Sequence, residues 1–106
     1  MSIVKEQKGT YCLLRVDAQS LLNSEATQLK EIAQELIQDG VTEISLDLSK
    51  TQYIDSSGIG KILFINKKLT SINGTFAIEI IGRKLYEFFD SLAITKVMDI
   101  KKVIDS

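Results

Sequence analysis

The 106-residue chain has no histidine, no proline and no tryptophan, and a single cysteine, Cys12. Without histidine there is no imidazole base, no Ser-His-Asp triad and no histidine-ligated metal. One thiol can neither close an internal disulfide nor supply a thiolate zinc site, which points to a reducing compartment. Three tyrosines and four phenylalanines are few for a platform on which bases would stack. An excess of one charge is missing too: thirteen basic residues stand against fourteen acidic ones, a net charge of −1. Such a chain has no electrostatic footprint for nucleic acid. No apolar run approaches the ~20 residues of a membrane span, and Met1-Ser2-Ile3-Val4-Lys5-Glu6 lacks the apolar centre of a signal peptide. What is present is ordinary for a globular fold, with 44% hydrophobic and 25% charged residues. The length suits one domain with one core, spanning 1–106.

The order of elements can be read from periodicity. Ile3 to Glu6 and Thr10 to Val16 are expected to be strands joined by a tight turn at Lys8-Gly9. In the second of these Cys12 and Leu14 alternate with Tyr11, Leu13 and Arg15, and Cys12 reads as a small buried hydrophobe. Asn23-Ser24 offers helix-capping chemistry, and Ala26, Leu29, Ile32, Ala33, Leu36 and Ile37 follow at helical spacing until Asp39-Gly40. Glu43 to Leu48 alternates strictly, with Ile44, Leu46 and Leu48 on one face of a strand. After a connection from Ser49 to Asp55, a second helix begins near Ser56 and runs to about Leu69 or Thr70. Asn73-Gly74 stops it. Phe76 to Ile81 is a strand broken only by Glu79, and Lys84 to Phe89 is a third helix. Ile94 to Ile100 fits strand or helix, and Lys101 to Ser106 reads as a frayed helical tail. The order β-β-α-β-α-β-α predicts an α/β layer fold on a mixed sheet, opened by an antiparallel pair and continued by parallel βαβ steps.

One segment carries a message: Tyr53-Ile54-Asp55-Ser56-Ser57-Gly58-Ile59-Gly60-Lys61, where a strand's outgoing loop becomes a helix. In an α/β sheet that is where function collects. Asp55, Ser56 and Ser57 are all capping residues, while two glycines in the opening turns each cost about 1 kcal/mol relative to alanine. A plain capped turn with glycines that permit close packing accounts for part of this. A phosphate cradle does not fit, since a Walker A loop needs four residues before its Gly-Lys pair and only Ile59 separates Gly58 from Gly60. A dinucleotide fingerprint would need its third glycine where Leu63 stands. The segment is not a G-x-S-x-G elbow either, and the remaining nucleophile scheme is Ser57 with Lys61, one helical turn on, as its base. A modified serine is the fourth possibility. A phosphoserine at a helix N-terminus meets free N–H groups and the positive dipole end, so its −1.5 to −2 charges (roughly) alter a docking surface without unfolding the domain. These considerations alone do not choose between Ser56 and Ser57.

Leu46-Asp47-Leu48 followed by Tyr53-Ile54-Asp55-Ser56-Ser57-Gly58-Ile59-Gly60, in this order of elements, resembles a stand-alone STAS domain of the bacterial anti-sigma factor antagonist kind. The resemblance implies a non-enzymatic module of the cytoplasm with no catalytic residue, cofactor or metal. It implies binding to an anti-sigma factor that is also a serine kinase, and release of the sigma factor. It also implies phosphorylation on the serine after the aspartate, Ser56, and reversal by a PP2C-type phosphatase. Asp55, Ser56, Ser57, Gly58, Ile59 and Gly60 would form the docking surface. Neither nucleic acid nor direct insertion in a membrane is implied, and no oligomeric state. STAS subunits of other assemblies, such as a lipid-transport complex or a stress-sensing particle, share the fold without the phospho-switch. The chain departs from the family before the first helix, where G-x-L-D is common and Ala18-Gln19-Ser20-Leu21-Leu22-Asn23 stands instead. Asn23 takes the place of the acid one position on, as a partner-binding residue, and the glycine is missing. The short C-terminal tail is expected to leave one face of the sheet less covered.

Overall fold

Alternating residues at the start of the chain fold back on themselves. In the computed structural model, which describes residues 3–105, β1 (Ile3–Lys8) pairs antiparallel with β2 (Tyr11–Val16). Cys12, Leu14 and Val16 are buried while Tyr11, Leu13 and Arg15 are only half-buried, so β2 has a core face and a partly open one. β4 (Glu43–Leu48) and β6 (Thr75–Gly82) follow in parallel, giving the order β1-β2-β4-β6. The mixed sheet is as the pattern predicted. Glu79 is the extra residue of a bulge: Leu46 pairs with Ile78 but Asp47 with Ile80, which leaves the glutamate out of the pairing register. That explains a charge inside an otherwise apolar strand.

Two 16-residue helices, α1 (Asn23–Gln38) and α2 (Ser56–Ser71), pack against each other and supply the core with Ala26, Leu29, Ala33 and Leu36 from one and Ile62, Ile65 and Leu69 from the other. Ile32, Ile37, Ile59 and Leu63 are only partly buried at the margins of these stripes. Asn73 adopts a left-handed conformation (φ 60°) and Gly74 N–H returns to Leu69 O at 2.7 Å, which closes α2. α3 (Arg83–Ser91) buries Leu85 and Phe89.

Two local expectations need correction, one open reading is resolved and one feature is new. Lys101 onwards is not helical: β7 (Asp99–Ile100) and β8 (Val103–Ile104) both add parallel to β6, and Ser106 lies outside the described residues. The apolar pairs of this tail find an open sheet edge, which outweighs helix propensity. The ambiguous stretch before it is a 3₁₀ turn at Ile94–Lys96 leading into β7. Neither Asn23 nor Ser24 caps α1; Leu22 does, and the Glu25 carboxylate accepts its backbone N–H at 3.2 Å. Finally, the connections before α1 and α2 carry structure of their own. Each contains a two-residue strand, β3 (Ser20–Leu21) and β5 (Tyr53–Ile54), and the two pair in parallel as a separate small sheet.

Candidate functional site

The small sheet builds the site. Thr51 is buried and donates its hydroxyl to Ala18 O at 2.9 Å, and the backbone N–H groups of Gln52 and Tyr53 both reach Gln19 O. Ser20 then pairs with Tyr53 and Leu21 with Ile54, so the entrances to α1 and α2 run side by side. Directly beyond this pairing come Leu22, the N-cap of α1, and Asp55, the N-cap of α2. Leu22 is 44% and Tyr53 48% exposed, and Lys84 of α3 lies over the Tyr53 ring at 4.6 Å from its centroid. Phe88, one turn along α3, joins Tyr53 in lining a shallow apolar hollow of about 230 Å³. Phe88 was missed by sequence reasoning, because its meeting with Tyr53 depends on how α3 packs beside the connection before α2.

Asp55 settles the capping question: its carboxylate accepts the Gly58 N–H at 2.8 Å, and its carbonyl accepts that of Ile59 at 3.0 Å. The two serines then differ sharply. Ser56 is the first residue of α2 and exposed, and among the described residues its hydroxyl has no hydrogen-bond partner. Ser57, half-buried, donates to Asn23 Oδ1 at 2.8 Å and accepts from Lys61 Nζ at 3.1 Å. Lys61 therefore approaches Ser57 as a donor, and the hydroxyl proton points away to Asn23. This is the wrong polarity for a lysine base acting on a serine nucleophile. Asn23 is thus brought to the site, held to α2 and not to its own helix's cap.

The glycines also part company. Gly58 is buried, and a Cβ there would come within 2.6 Å of both Leu21 O and Ile54 Cγ1. It lies beneath the surface, and its bareness lets α2 sit against the small sheet. Gly60 is exposed with nothing within 4 Å of its Cβ position, so no intramolecular packing asks for glycine there. Ile59 is partly buried between them. Nearby, Glu25 is held below the usual carboxylate range, chiefly by the Ser24 hydroxyl at 2.9 Å and then by backbone N–H groups, against the opposing effects of desolvation and of the Asp55 charge. Among the described residues no cluster of three metal-ligating side chains occurs, and no helix is long and apolar enough to cross a membrane.

The STAS domain model matches residues 2–106. The chain belongs to the STAS domain family. No curated protein sequence matches it. Among solved structures it is similar to the anti-sigma factor antagonist SpoIIAA in its unphosphorylated form, with a TM-score of 0.80 and 18% identity over 92% of this chain and 86% of that one. It is similar also to the Bacillus cell fate determinant SpoIIAA in the phosphorylated form, with a TM-score of 0.74, 18% identity and coverage of 92% and 89%. A Thermotoga maritima protein proposed to be an anti-sigma factor antagonist matches with a TM-score of 0.80 and 21% identity, over 93% of this chain and 85% of that one. At these identities the likeness establishes the STAS fold.

Proposed function

We propose that this STAS domain is an anti-sigma factor antagonist: a binding module, not an enzyme, switched by phosphorylation of Ser56. Its partner would be an anti-sigma factor that is also a serine kinase, bound in the cytoplasm so that a sigma factor is released. A PP2C-type phosphatase would restore the bound form. The observation that carries this reading is the contrast at the head of α2, where Ser56 offers a free, exposed hydroxyl and its neighbour Ser57 does not. A phosphate on Ser56 would meet the unpaired N–H groups of the first turn and the positive end of the helix dipole, so the scaffold would tolerate it. A partner pressed against the same turn would instead have to desolvate about −1.5 to −2 charges with nothing to pair them, and would dissociate. The exposed Leu22, Tyr53 and Phe88 supply apolar anchors beside the switch. The similarity to SpoIIAA in both phosphorylation states supports the same assignment.

The test is intact-mass measurement after incubation with purified anti-sigma-type serine kinases of the same genome and MgATP. One added phosphate on the native chain, absent from Ser56→Ala, is expected. A phosphate that persists in Ser56→Ala would overturn the site. Binding without any phosphate uptake would instead place the chain with the scaffold STAS subunits of other assemblies.

A further inference from the structure

We propose that Lys61 selects the phosphate acceptor, by holding Ser57 silent together with Asn23 and so leaving Ser56 as the reactive member of the pair. The inference rests on the phospho-switch reading and adds a residue to it. Ser56 and Ser57 are adjacent on one helical turn, next to the same aspartate, and a kinase gripping this turn would reach both side chains. Besides the greater exposure of Ser56, what separates them is the state of their hydroxyls. Transfer from ATP breaks the serine O–H bond and passes its proton to a carboxylate of the kinase; the serine oxygen bonds to the γ-phosphorus as the bond to the ADP oxygen breaks. The oxygen needs a free lone pair aimed at phosphorus and a proton able to leave.

At Ser57 both are compromised. The proton is committed to Asn23 Oδ1 at 2.8 Å, and the Lys61 ammonium occupies a lone pair at 3.1 Å, drawing electron density from the oxygen that would attack. Asn23 belongs to α1 while Ser57 and Lys61 belong to α2, so the arrangement is fixed by the packing of two helices and not by one flexible turn. Lys61 is half-buried, which keeps its ammonium near the hydroxyl. At Ser56 both requirements are met. Each hydrogen bond that must break before Ser57 could react lowers its rate by about tenfold.

Lys61→Met removes the ammonium and keeps the apolar stem. The experiment follows phosphate incorporation and its position by peptide mapping, using the purified chain, purified anti-sigma-type serine kinases of the same genome and MgATP. Native chain and Lys61→Met should both be modified on Ser56, which also shows that the variant is folded and recognised. Ser56→Ala should stay bare, and Ser56→Ala/Lys61→Met should take phosphate on Ser57 at least ~10-fold faster than Ser56→Ala. A double variant that stays bare while Lys61→Met is modified on Ser56 overturns the role of Lys61. So does Ser56→Ala taking phosphate on Ser57 at the native rate. A native chain that no such kinase modifies overturns the switch reading itself, and this inference falls with it.

Discussion

The carbonyl oxygen of Leu21 lies 2.6 Å from where a Cβ on Gly58 would stand. The neighbour is backbone and cannot swing away, so the first turn of α2 is fitted to the β3–β5 sheet with no spare volume. Gly58→Ala should therefore cost about 1–3 kcal/mol through overpacking. Gly60→Ala, with open space around its Cβ position, should gain up to about 1 kcal/mol of helix propensity. Urea denaturation of the two variants measures the contrast, and equal stabilities would contradict it.

Ser56→Asp and Ser56→Ala should both fold as the native chain does, because the side chain is exposed and supports nothing around it. The aspartate, at the first position of α2, should add about 0.3–1 kcal/mol at low salt through the helix dipole. Against a kinase partner the order should reverse, with Ser56→Asp bound more weakly than Ser56→Ala. Thermal melts and calorimetric titration check the two halves. Tighter binding by Ser56→Asp would contradict the electrostatic account.

Much of this arrangement was legible in the residues, for reasons that also mark where legibility stopped. Helical spacing from Ala26 to Ile37 and alternation from Ile44 to Leu48 are long enough to define a face. Two-residue strands such as Ser20–Leu21 and Tyr53–Ile54 have no period, and their pairing is decided by the fold around them. For that reason Asn23 could be read as a cap when its acceptor is in fact turned to Ser57. The tail reads as a frayed helix because Val103–Ile104 carries too little pattern to announce that an edge of β6 awaits it. Asp55, Ser56 and Ser57 are equivalent capping residues as text; only the positions of Gly58 N–H, Asn23 and Lys61 give each a separate task.

Glu25 is depressed below its ordinary value of 4.5 by the Ser24 hydroxyl and by backbone N–H groups including that of Leu22. A group whose folded value lies below its unfolded one stabilises fully above the unfolded value and loses that contribution as pH falls through the folded one. Native chain should thus lose more stability on acidification below pH about 4.5 than Glu25→Gln does. Denaturation midpoints of the two proteins between neutral and acid pH, at fixed salt, provide the check. Parallel curves would remove Glu25 from the fastening of α1.

Cys12 is fully buried in β2, and burial pushes its thiol up from the ordinary value, so thiolate is scarce at neutral pH. Iodoacetamide should leave the native chain unmodified at pH 7 and label it completely in denaturant. Cys12→Ala, removing a buried sulfur atom, should cost on the order of 1 kcal/mol or more. Rapid alkylation of the native chain would show that β2 opens on its own.

The pairing of Ser20–Leu21 with Tyr53–Ile54 yokes two segments more than thirty positions apart in sequence into one rim. Lengthening either segment by one residue would shift its register against the other and turn its side chains to the opposite face. The shape of the rim is set by backbone pairing, so the exposed side chains of Leu22 and Tyr53 can change without disturbing it. Diversity among molecules built this way should therefore accumulate as substitutions at these points, with insertions kept out of the paired segments.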